Sequence, residues 1–508
     1  FNGHLLPLSP AAFERVVSPK RGDAVREQLT RILARTNARG RLAFSWGQLD
    51  FSHIPVGLLS EVYEDWAHTY DDARARREGA WYTPAAIANG IVREAIGAMS
   101  DPWRAHVLDP SAGAGVFLVA AYRRLVEATW EHDGRRPDRA TVRAILLEQL
   151  VGMEVNEAAL RLSALALYLT ALDLDPEPSP AACVRFPNLL DRGVLRDVRS
   201  TRTRKSHDDP QDDDHARIER GEAPVGSLGR HVDRALEGRF HIVVGNPPWT
   251  SWKVSEPAAR LAAKEVEEVV APIVKARLAD TAGSGYAMSG GNPDLPFVWR
   301  AAEWAVRDGV LAFVLHGRWL FQQTEQAVAR RAEVLRGLSV TTLINGSALR
   351  RKKGVWPGQE APFLILFARN RRPVEGEWFR FLSPVEDDRL NARGRIRLDA
   401  AAAFPMSPED PIERPWLFKT LSRGGPLDRT VVERVLTASQ KKTLADWWPE
   451  DFSGRGYENA AHRGASAINM RGRADLGADE EVRAILDGDR LPRFTRTEVR
   501  RPSFATRS

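Results

Sequence analysis

The chain has 508 residues, of which 43% are hydrophobic, and a formal net charge of +6 at pH 7. This length supports two or three hydrophobic cores, and the weak basic excess is compatible with a polyanionic partner. A single cysteine, Cys183, excludes a disulfide framework and a thiolate metal cluster. No stretch reaches the roughly 18 apolar residues of a membrane helix, and no secretory pattern is present, so we predict a cytoplasmic protein without membrane contact.

Residues 1–80 carry the hydrophobic spacing of helices. Apolar residues recur every three or four positions in two stretches, at Phe13, Val16, Val25, Leu29 and Ile32 and at Leu58, Leu59, Val62 and Trp66. This period places them on one helix face, so we predict a helical N-terminal domain over this range. The chain starts at Phe1 rather than at methionine, which indicates a piece of a longer protein.

From residue 81 to residue 372 the pattern alternates between helices and strands, which is typical of the α/β class. The predicted helices are Pro84–Met99, Val116–Glu127 and Glu157–Leu172, and the predicted strands are His106–Leu108, Leu150–Glu154, Phe240–Val244 and Val310–Leu315. Parallel strands joined by helices form a doubly wound sheet, whose ligands bind at the carboxyl ends of the strands.

The first of these strands runs into a turn of small residues, Asp-Pro-Ser-Ala-Gly-Ala-Gly at 109–115. Small residues let the backbone approach a ligand closely, and the N-terminus of the next helix favours an anionic group. On spacing alone, the turn is either a tight connection or a site for a nucleoside-type ligand. The three-glycine dinucleotide fingerprint and the Gly-Lys-Ser/Thr phosphate loop are both absent, which disfavours NAD and ATP.

A second strand-end residue, Glu154, closes the strand that follows. A carboxylate at this place in a doubly wound sheet can accept hydrogen bonds from both hydroxyls of a ribose. The extra stretch at 134–137 accounts for its distance from the turn, which exceeds the usual spacing of about 20 residues. The alternative is a strand-end acid that faces solvent.

A polar run between Arg199 and Gly229 interrupts the alternation. It holds five aspartates between His207 and His215. This composition cannot bury a core, so we predict a solvated insertion loop at about 199–229. A metal site there would need a rigid element to position its ligands, and the sequence offers none, so we expect no metal.

The motif with the most chemical content is Asn246-Pro247-Pro248-Trp249, which follows an apolar strand and Gly245. The amide oxygen of Asn246 and the carbonyl of Pro247 are two acceptors that can point at one planar amino group, and consecutive prolines hold them stiffly. Trp249 can stack on the ring that bears this group. A proline-rich turn without a chemical role is the alternative, but the strand context and the upstream turn favour the functional interpretation.

Together, the turn at 109–115, Glu154 and the segment 246–249 resemble the motifs of amino-group methyltransferases, whose catalytic loop reads Asn-Pro-Pro and then an aromatic residue. The resemblance implies a Rossmann-like methyltransferase sheet of seven strands that binds S-adenosylmethionine, and an adenine flipped out of double-stranded DNA. Asn246 and Pro247 would accept hydrogen bonds from the N6 amino group, and Trp249 would stack on the base. Neither a metal nor a covalent enzyme intermediate is implied.

Further segments, 50–64, 82–84, 292–295 and 309–315, resemble large γ-order adenine methyltransferases. This group includes the Eco57I-like restriction-modification enzymes and the methyltransferases of the BREX and DISARM phage-defence systems. In it, Tyr-Thr-Pro borders the methionine end of the cofactor, and an aromatic residue before a proline, here Trp356, packs on the second face of the adenine. Alternatively, Trp356 lies on a β-hairpin that covers the core.

The resemblance extends over about 49–369 and implies the following sites. The cofactor-binding residues are Tyr82, Thr83, Pro84, Asp109, Pro110, Ala112, Gly113, Gly115, Glu154 and Asn188. The catalytic residues are Asn246, Pro247, Pro248, Trp249 and Trp356. Asn188 departs from the family pattern, because it stands where an aspartate after the third strand usually binds the adenine of the cofactor.

The predicted domains follow from these segments. A helical domain at 1–80 precedes the methyltransferase domain at 81–372. A connecting region rich in proline and arginine covers 373–442. Residues 443–508 form the incomplete start of a C-terminal DNA target recognition domain, whose beginning the sequence Phe452–Tyr457 resembles.

We therefore predict a site-specific DNA adenine-N6 methyltransferase of a bacterial phage-defence or restriction-modification system, with other defence subunits as candidate partners. The alternatives are methyl transfer to RNA adenine, to cytosine N4 or to a protein glutamine, and a DNA-recognition subunit that uses the fold only for binding. Cytosine C5 methylation is disfavoured, because it requires a Pro-Cys nucleophile and Cys183 follows two alanines.

Overall fold

The computed structural model describes most of the predicted methyltransferase domain and the region that follows it. The described residues are 83–178, 187–198, 225–252, 255, 257–278, 286–350, 352, 354–357, 359–422, 424–438, 458–460 and 465–467. The predicted helical domain at 1–80, Tyr82, most of the acidic insertion and Phe452–Tyr457 lie outside them. The chain divides into two compact units, Phe1–Arg423 and Gly424–Ser508.

The elements of the first unit alternate as expected for an α/β protein. Its α-helices are α1 (Ala85–Gly97), α2 (Val116–Asp133), α3 (Arg139–Gln149), α4 (Glu157–Leu174), α5 (Pro257–Arg277), α6 (Asp294–Trp304), α7 (Arg318–Phe321), α8 (Glu325–Gly337), α9 (Asp388–Ala392), α10 (Glu409–Glu413) and α11 (Leu417–Leu421). Its strands are β1 (Val107–Asp109), β2 (Leu150–Glu154), β3 (Leu195–Asp197), β4 (Phe240–Gly245), β5 (Ala305–His316), β6 (Ser339–Asn345), β7 (Phe363–Arg369), β8 (Phe379–Leu382) and β9 (Phe404–Met406). Short 3-10 turns lie at Pro102–Arg104, Gly226–Leu228, Arg234–Leu236, Ser289–Gly291, Gly346–Leu349 and Ala400–Ala402.

The strands form one mixed sheet in the order β3-β2-β1-β4-β5-β7-β6-β8-β9. The strands β1 to β5 are parallel, whereas β7 runs antiparallel to both β5 and β6. The expected all-parallel pattern is therefore wrong at β7 and at β9, which runs antiparallel to β8. The sheet also has nine strands instead of the seven that were expected, because β8 and β9 extend it past β6.

The two additional strands lie in 373–442, the range that the sequence analysis assigned to a connecting region. In β8, Phe379 and Phe381 are buried and Arg380 between them is exposed. This alternation of apolar and polar residues is the period of a half-buried strand. It spans only four residues, too few to stand out from a proline-rich and arginine-rich background, so the sheet continues where a connection was expected.

Two hydrophobic cores cover the two faces of the sheet. Within β4, Ile242 and Val244 point into the core formed with α1, α2 and α4, while Val243 points into the core formed with α5, α6 and α8. Successive side chains of a strand face opposite sides, so a strand that is covered on both sides reads as a continuous apolar run. This arrangement explains why the central strands could be recognised in the sequence.

The polar insertion ends earlier than predicted. Residues 225–229 were included in the solvated loop, but Gly226, Ser227 and Leu228 are buried. The hydroxyl of Ser227 donates a hydrogen bond of 2.7 Å to the carbonyl of Pro110. The chain therefore returns to the core beneath the turn that follows β1, before β4 begins.

The second unit contains helix α12 (Pro426–Ala438) and an antiparallel pair of short strands, β10 (Glu458–Ala460) and β11 (Ala465–Ala467). Among the helices that the structure describes, none combines the length and the apolar character needed to cross a membrane.

Candidate active site

The candidate site lies where the chain changes direction across the sheet. From β1 the chain proceeds to β2 and β3 on one side, and then returns to β4 on the other side of β1. In open α/β sheets the crevice at such a switch point is the usual place for a ligand. Asp109 ends β1 and Gly245 ends β4, so both predicted motifs begin at this crevice.

Gly245 allows the two motifs to approach each other closely. A Cβ atom at this position would lie 2.8 Å from Asp109 Oδ1 and 3.2 Å from Ser111 Oγ. The first distance is shorter than side chains tolerate, so a larger residue would force the buried carboxyl group of Asp109 to shift. The glycine before the Asn-Pro-Pro-Trp sequence is therefore a steric requirement of the site.

The small residues after β1 form a turn that only glycine adopts easily. Gly113 has a φ of +53° and Gly115, the N-cap of α2, has a φ of +87°. In this left-handed region a Cβ atom is strained. A Cβ on Gly115 would meet Ser163 at 3.0 Å, whereas the corresponding position on Gly113 has no heavy atom within 4 Å. The turn thus packs on α4 at Gly115 and leaves open space beside Gly113.

Asp109 is completely buried, and only one of its carboxyl oxygens is satisfied. Oδ1 accepts a hydrogen bond of 3.0 Å from the backbone N–H of Ser111, while Oδ2 has no hydrogen-bond partner. Burial raises the pKa of Asp109 to about 8; the Ser111 bond opposes this rise and the nearby Glu154 carboxylate adds to it. A buried unpaired carboxyl oxygen is costly, so it marks a place where a donor or a positive charge would be accommodated favourably.

Glu154 has a role that the sequence did not reveal, because it holds the glycine turn. Its Oε2 accepts a hydrogen bond of 2.8 Å from the backbone N–H of Gly113, and Oε1 accepts bonds of 2.9 and 2.8 Å from Val155 and Asn156. An ionised carboxylate offers about four acceptor positions. Glu154 therefore ties the end of β2 to the turn after β1 and to the start of α4.

Asn246 follows β4 directly, and its side-chain amide is oriented by Thr83. The amide nitrogen donates a hydrogen bond of 2.9 Å to Thr83 Oγ1. Thr83 is buried and lies two residues before α1, next to Pro84, the N-cap of that helix. The predicted cofactor segment and the predicted catalytic loop are thus in direct contact. Because the nitrogen faces Thr83, the amide oxygen is the atom directed to accept a bond from an amino group.

The rest of the loop is held against the core by its aromatic residue. Pro247 is buried and Pro248 is half-buried. Trp249 is buried, and its indole N–H donates a 3.3 Å hydrogen bond to the carbonyl of Val314 on β5. Its ring also meets the edge of His316, with centroids 5.8 Å apart and planes at 71°. The side chain is therefore fixed before any base arrives.

Trp356 contacts Trp249, but not in the arrangement that was expected. The ring centroids are 5.6 Å apart and the planes meet at 61°, and Phe363 packs on Trp356 in the same edge-on way at 5.0 Å. Two rings that enclose a base must lie about 7 Å apart, twice the 3.4 Å stacking distance of bases. As the rings stand, Trp356 supports the edge of Trp249, and its place on the second face of the adenine stays a prediction.

Asn188 was predicted to follow the third strand, but it lies before that strand. It precedes β3 by seven residues and lies in a turn, where its Oδ1 accepts a 3.0 Å hydrogen bond from the backbone N–H of Leu190. The residue at the carboxyl end of β3 is Asp197, which pairs in register with Glu154. A cleft of about 650 Å³ beside β3 is lined by Asp197, Val198 and Glu157 among others. The sequence did not reveal the three-residue strand β3, so the residue predicted to follow it was placed too far upstream.

His316 and Arg318, at the carboxyl end of β5, were also missed. Arg318 donates to the carbonyl of Trp249 and, over 3.0 Å, to the hydroxyl of Ser251. Burial lowers the pKa of His316 to about 4, so the ring is neutral near pH 7, and its Nδ1 accepts a 2.9 Å bond from the backbone N–H of Arg318. No motif marks these residues, which lie almost 70 positions beyond the loop they contact.

Comparison with known proteins shows similarity to DNA methyltransferases over the segments that form this site. A family model described as the MmeI DNA-methyltransferase domain matches residues 99–280, a range that includes Asp109, Glu154 and the segment 246–249. A stretch of 149 residues is 25% identical to the adenine-specific methyltransferase PglX of Streptomyces coelicolor and covers 29% of this chain and 12% of that protein. A stretch of 118 residues is 27% identical to the type I restriction enzyme HindI methylase subunit of Haemophilus influenzae and covers 23% of each.

The chain thus matches only a minor part of the length of these curated relatives. Among solved structures, DrdV in the cryo-EM structure of the DrdV–DNA complex aligns over 78% of this chain and 37% of its own, at 15% identity and a TM-score of 0.49. The match to the family model confirms the resemblance to DNA methyltransferases that the sequence motifs indicated. Residues 99–280 of the chain therefore resemble the MmeI DNA-methyltransferase domain, whose family model they match.

Proposed function

We propose that this protein is a site-specific DNA methyltransferase that transfers the methyl group of S-adenosylmethionine to the N6 amino group of adenine, in a restriction-modification or BREX-type system. The observation that carries the proposal is the contact between two motifs at adjacent strand ends. Asn246, oriented by Thr83, stands beside the glycine turn that Asp109 begins. The printed names of the relatives, an adenine-specific methyltransferase and a type I methylase subunit, support the same reaction.

The residues of the crevice fit S-adenosylmethionine. When bound, this cofactor supplies an electrophilic methyl group on a positively charged sulfur. The open space beside Gly113 and the N-terminus of α2 suit its carboxylate, and the unpaired oxygen of buried Asp109 suits a positively charged group. We assign the ribose to Glu154 and the adenine end to Asp197 at the cleft beside β3. The segment 82–84 would border the methionine end.

Asn246 and Pro247 would prepare the target nitrogen. The amide oxygen of Asn246 and the carbonyl of Pro247 accept the two hydrogens of the N6 amino group, and this holds the nitrogen with its lone pair directed along the line of attack. An amino group conjugated with a purine ring is a poor nucleophile, so fixed acceptors raise its electron density at the moment of reaction. The nitrogen loses one proton after methylation, and this proton leaves along the hydrogen bond to one of these oxygens towards solvent.

The base must leave the DNA duplex to reach these acceptors, because the crevice lies at the strand ends of a packed sheet. Trp249, which follows the two acceptors directly, would stack on the flipped base, while Trp356 keeps its ring in place. Double-stranded DNA is therefore the proposed partner. Subunits of a defence complex are further proposed partners, on the evidence of the relatives' names alone.

Single-base methylation mapping tests the proposal. DNA from cells that express the full-length gene should contain modified adenine in one sequence context, and Asn246→Ala should abolish this mark while cofactor affinity, measured by calorimetry, changes less than threefold. Asn89→Ala, on the exposed face of α1, is the matched control and should leave the mark intact.

Modified cytosine, RNA or protein in place of adenine would replace the proposed substrate by one of the alternatives. Cofactor binding without any methylated product, with DNA and partner proteins present, would support a binding subunit. A large loss of cofactor affinity in Asn246→Ala would contradict the role given to this residue.

A further inference from the structure

We propose that Arg318 is a positioning residue that fixes the far end of the catalytic loop, Asn246–Trp249, in the geometry needed for methyl transfer. The inference rests on the proposed function, in which this loop receives the target base. Arg318 does not touch the predicted substrate. It acts through the backbone of Trp249, whose carbonyl it binds, and through Ser251 two residues later.

The contacts of Arg318 form a bridge from β5 to the loop. One guanidinium nitrogen donates to the carbonyl of Trp249 and the other donates to Ser251 Oγ over 3.0 Å. Ser251 in turn donates to the side-chain oxygen of Asn292, and the backbone N–H of Trp252 donates a 2.9 Å bond to the carbonyl of Gly291. The chain after Trp249 is therefore tied to two other segments of the same unit.

Arg318 is itself held at its backbone, and its guanidinium lies in the field of a buried carboxyl group. Its backbone N–H donates a 2.9 Å bond to His316 Nδ1 at the end of β5. The carboxyl group of Asp294, which is almost completely buried, is an attractive charge for the guanidinium. A cation whose backbone is fixed and whose charge is attracted to a buried carboxyl group loses less freedom when it binds the loop. The bridge is thus suited to positioning.

The two acceptors on the loop require a forked donor. Arginine presents several N–H groups in one plane and can bind a carbonyl and a hydroxyl at the same time, whereas the single ammonium nitrogen of lysine cannot match that geometry. Thr83 fixes the loop at Asn246, and Arg318 fixes it three residues later. Between these two anchors lie Pro247, whose carbonyl is a proposed acceptor, and Pro248.

The test compares Arg318→Met, Arg318→Lys and Arg318→Ala with the wild-type full-length protein. Methionine retains an unbranched side chain but removes every donor. We expect kcat for adenine methylation to fall 30-fold or more in Arg318→Met, while the Kd for S-adenosylmethionine changes less than threefold. Lysine should recover only a small part of the loss. Methylguanidinium should restore at least a tenth of wild-type kcat to Arg318→Ala, and methylammonium at the same ionic strength should not.

The matched control is Arg330→Met on α8. Arg330 lines the same small cavity as Arg318, but it lies over the ring of Tyr286 at 5.0 Å and pairs with Glu333 at 3.0 Å, without contact to the loop. It should leave kcat within threefold of wild type. Hydrogen exchange gives a readout that needs no activity: amides in a peptide spanning 246–252 should exchange at least tenfold faster in Arg318→Met and at the wild-type rate in Arg330→Met.

The inference is overturned if Arg318→Met keeps wild-type exchange in that peptide, or if its kcat and that of Arg330→Met fall equally. If the wild-type protein methylates no adenine but Arg318→Met accelerates exchange, the proposed function fails and the positioning contact stands. A loss of cofactor affinity equal to the loss of kcat would instead give Arg318 a role in binding.

Discussion

Asp109 is predicted to make the cofactor-free protein less stable as the pH rises. Its carboxyl group is buried with one oxygen unpaired, and its pKa is raised to about 8 from an ordinary value of 3.8. Between these two pH values the folded chain keeps a proton on Asp109 and the unfolded chain does not. Unfolding then releases a proton, so the free energy of unfolding falls as the pH rises from about 4 to about 8 and is constant outside this window.

The size of the effect follows from the pKa. Each pH unit between the two values corresponds to 1.36 kcal/mol, which gives a limit of about 4 kcal/mol at pH 7 and about 6 kcal/mol at pH 8. Asp109→Asn removes the titration and keeps an oxygen that can accept from Ser111 N–H. The buried amide N–H of the asparagine lowers the free energy of unfolding by about 1–3 kcal/mol at every pH. The test is therefore the change of the stability difference with pH, and not its absolute value.

The assay is urea unfolding without cofactor at pH 5, 6, 7 and 8. The free energy of unfolding of Asp109→Asn minus that of wild type should rise steadily over this range. Asp101→Asn is the matched control, because Asp101 is exposed and its side chain caps no helix. A difference that stays within about 0.5 kcal/mol from pH 5 to pH 8 would refute the argument, because it would mean that Asp109 is ionised throughout.

Two further predictions concern the junction of the motifs. Gly245→Ala should abolish methylation and lower the free energy of unfolding by about 1–3 kcal/mol, because its Cβ would lie 2.8 Å from Asp109 Oδ1. Gly97→Ala, where nothing lies within 4 Å of the added atom, should be neutral, and urea unfolding of both variants checks this contrast. Thr83→Val should lower kcat about tenfold without a change in cofactor Kd, because one lost hydrogen bond of about 1.4 kcal/mol corresponds to a factor of ten. Recovery in Thr83→Ser would support the contact, and equal losses in both variants would contradict it.

The sequence predicted the strands that precede the motifs closely. The bounds of β2 were predicted as they are observed, and β4 differs only by Gly245. The short strands β3 and β8 escaped, because three or four residues do not by themselves establish a period. This is why β3 was placed upstream of its position, with Asn188 expected at the carboxyl end where Asp197 lies, and why β8 was taken for a connection.

The chemistry of the site was only partly visible for a different reason. Motifs indicate which residue types are present, but not which of them bind each other. The carboxylate of Glu154 was predicted to bind a ribose, but nothing in the sequence showed that it also accepts bonds from three backbone N–H groups. The unpaired oxygen of Asp109 and the edge-on packing of Trp356 likewise depend on residues far apart in the chain. Such partners follow from the tertiary fold alone.

The composition of the catalytic loop explains why it needs distant anchors. Pro247 and Pro248 have no backbone N–H, so the loop cannot be stabilised by donating main-chain hydrogen bonds at these positions. Stabilising contacts must reach it as side-chain bonds or as donors to its carbonyls. Examples of the two kinds are Thr83, which accepts from the side chain of Asn246, and Arg318, which donates to the carbonyl of Trp249. A loop held in this way keeps the carbonyl of Pro247 between two fixed points. Replacing either proline would add a backbone N–H donor, but this donor could not replace the contact with Thr83 or with Arg318.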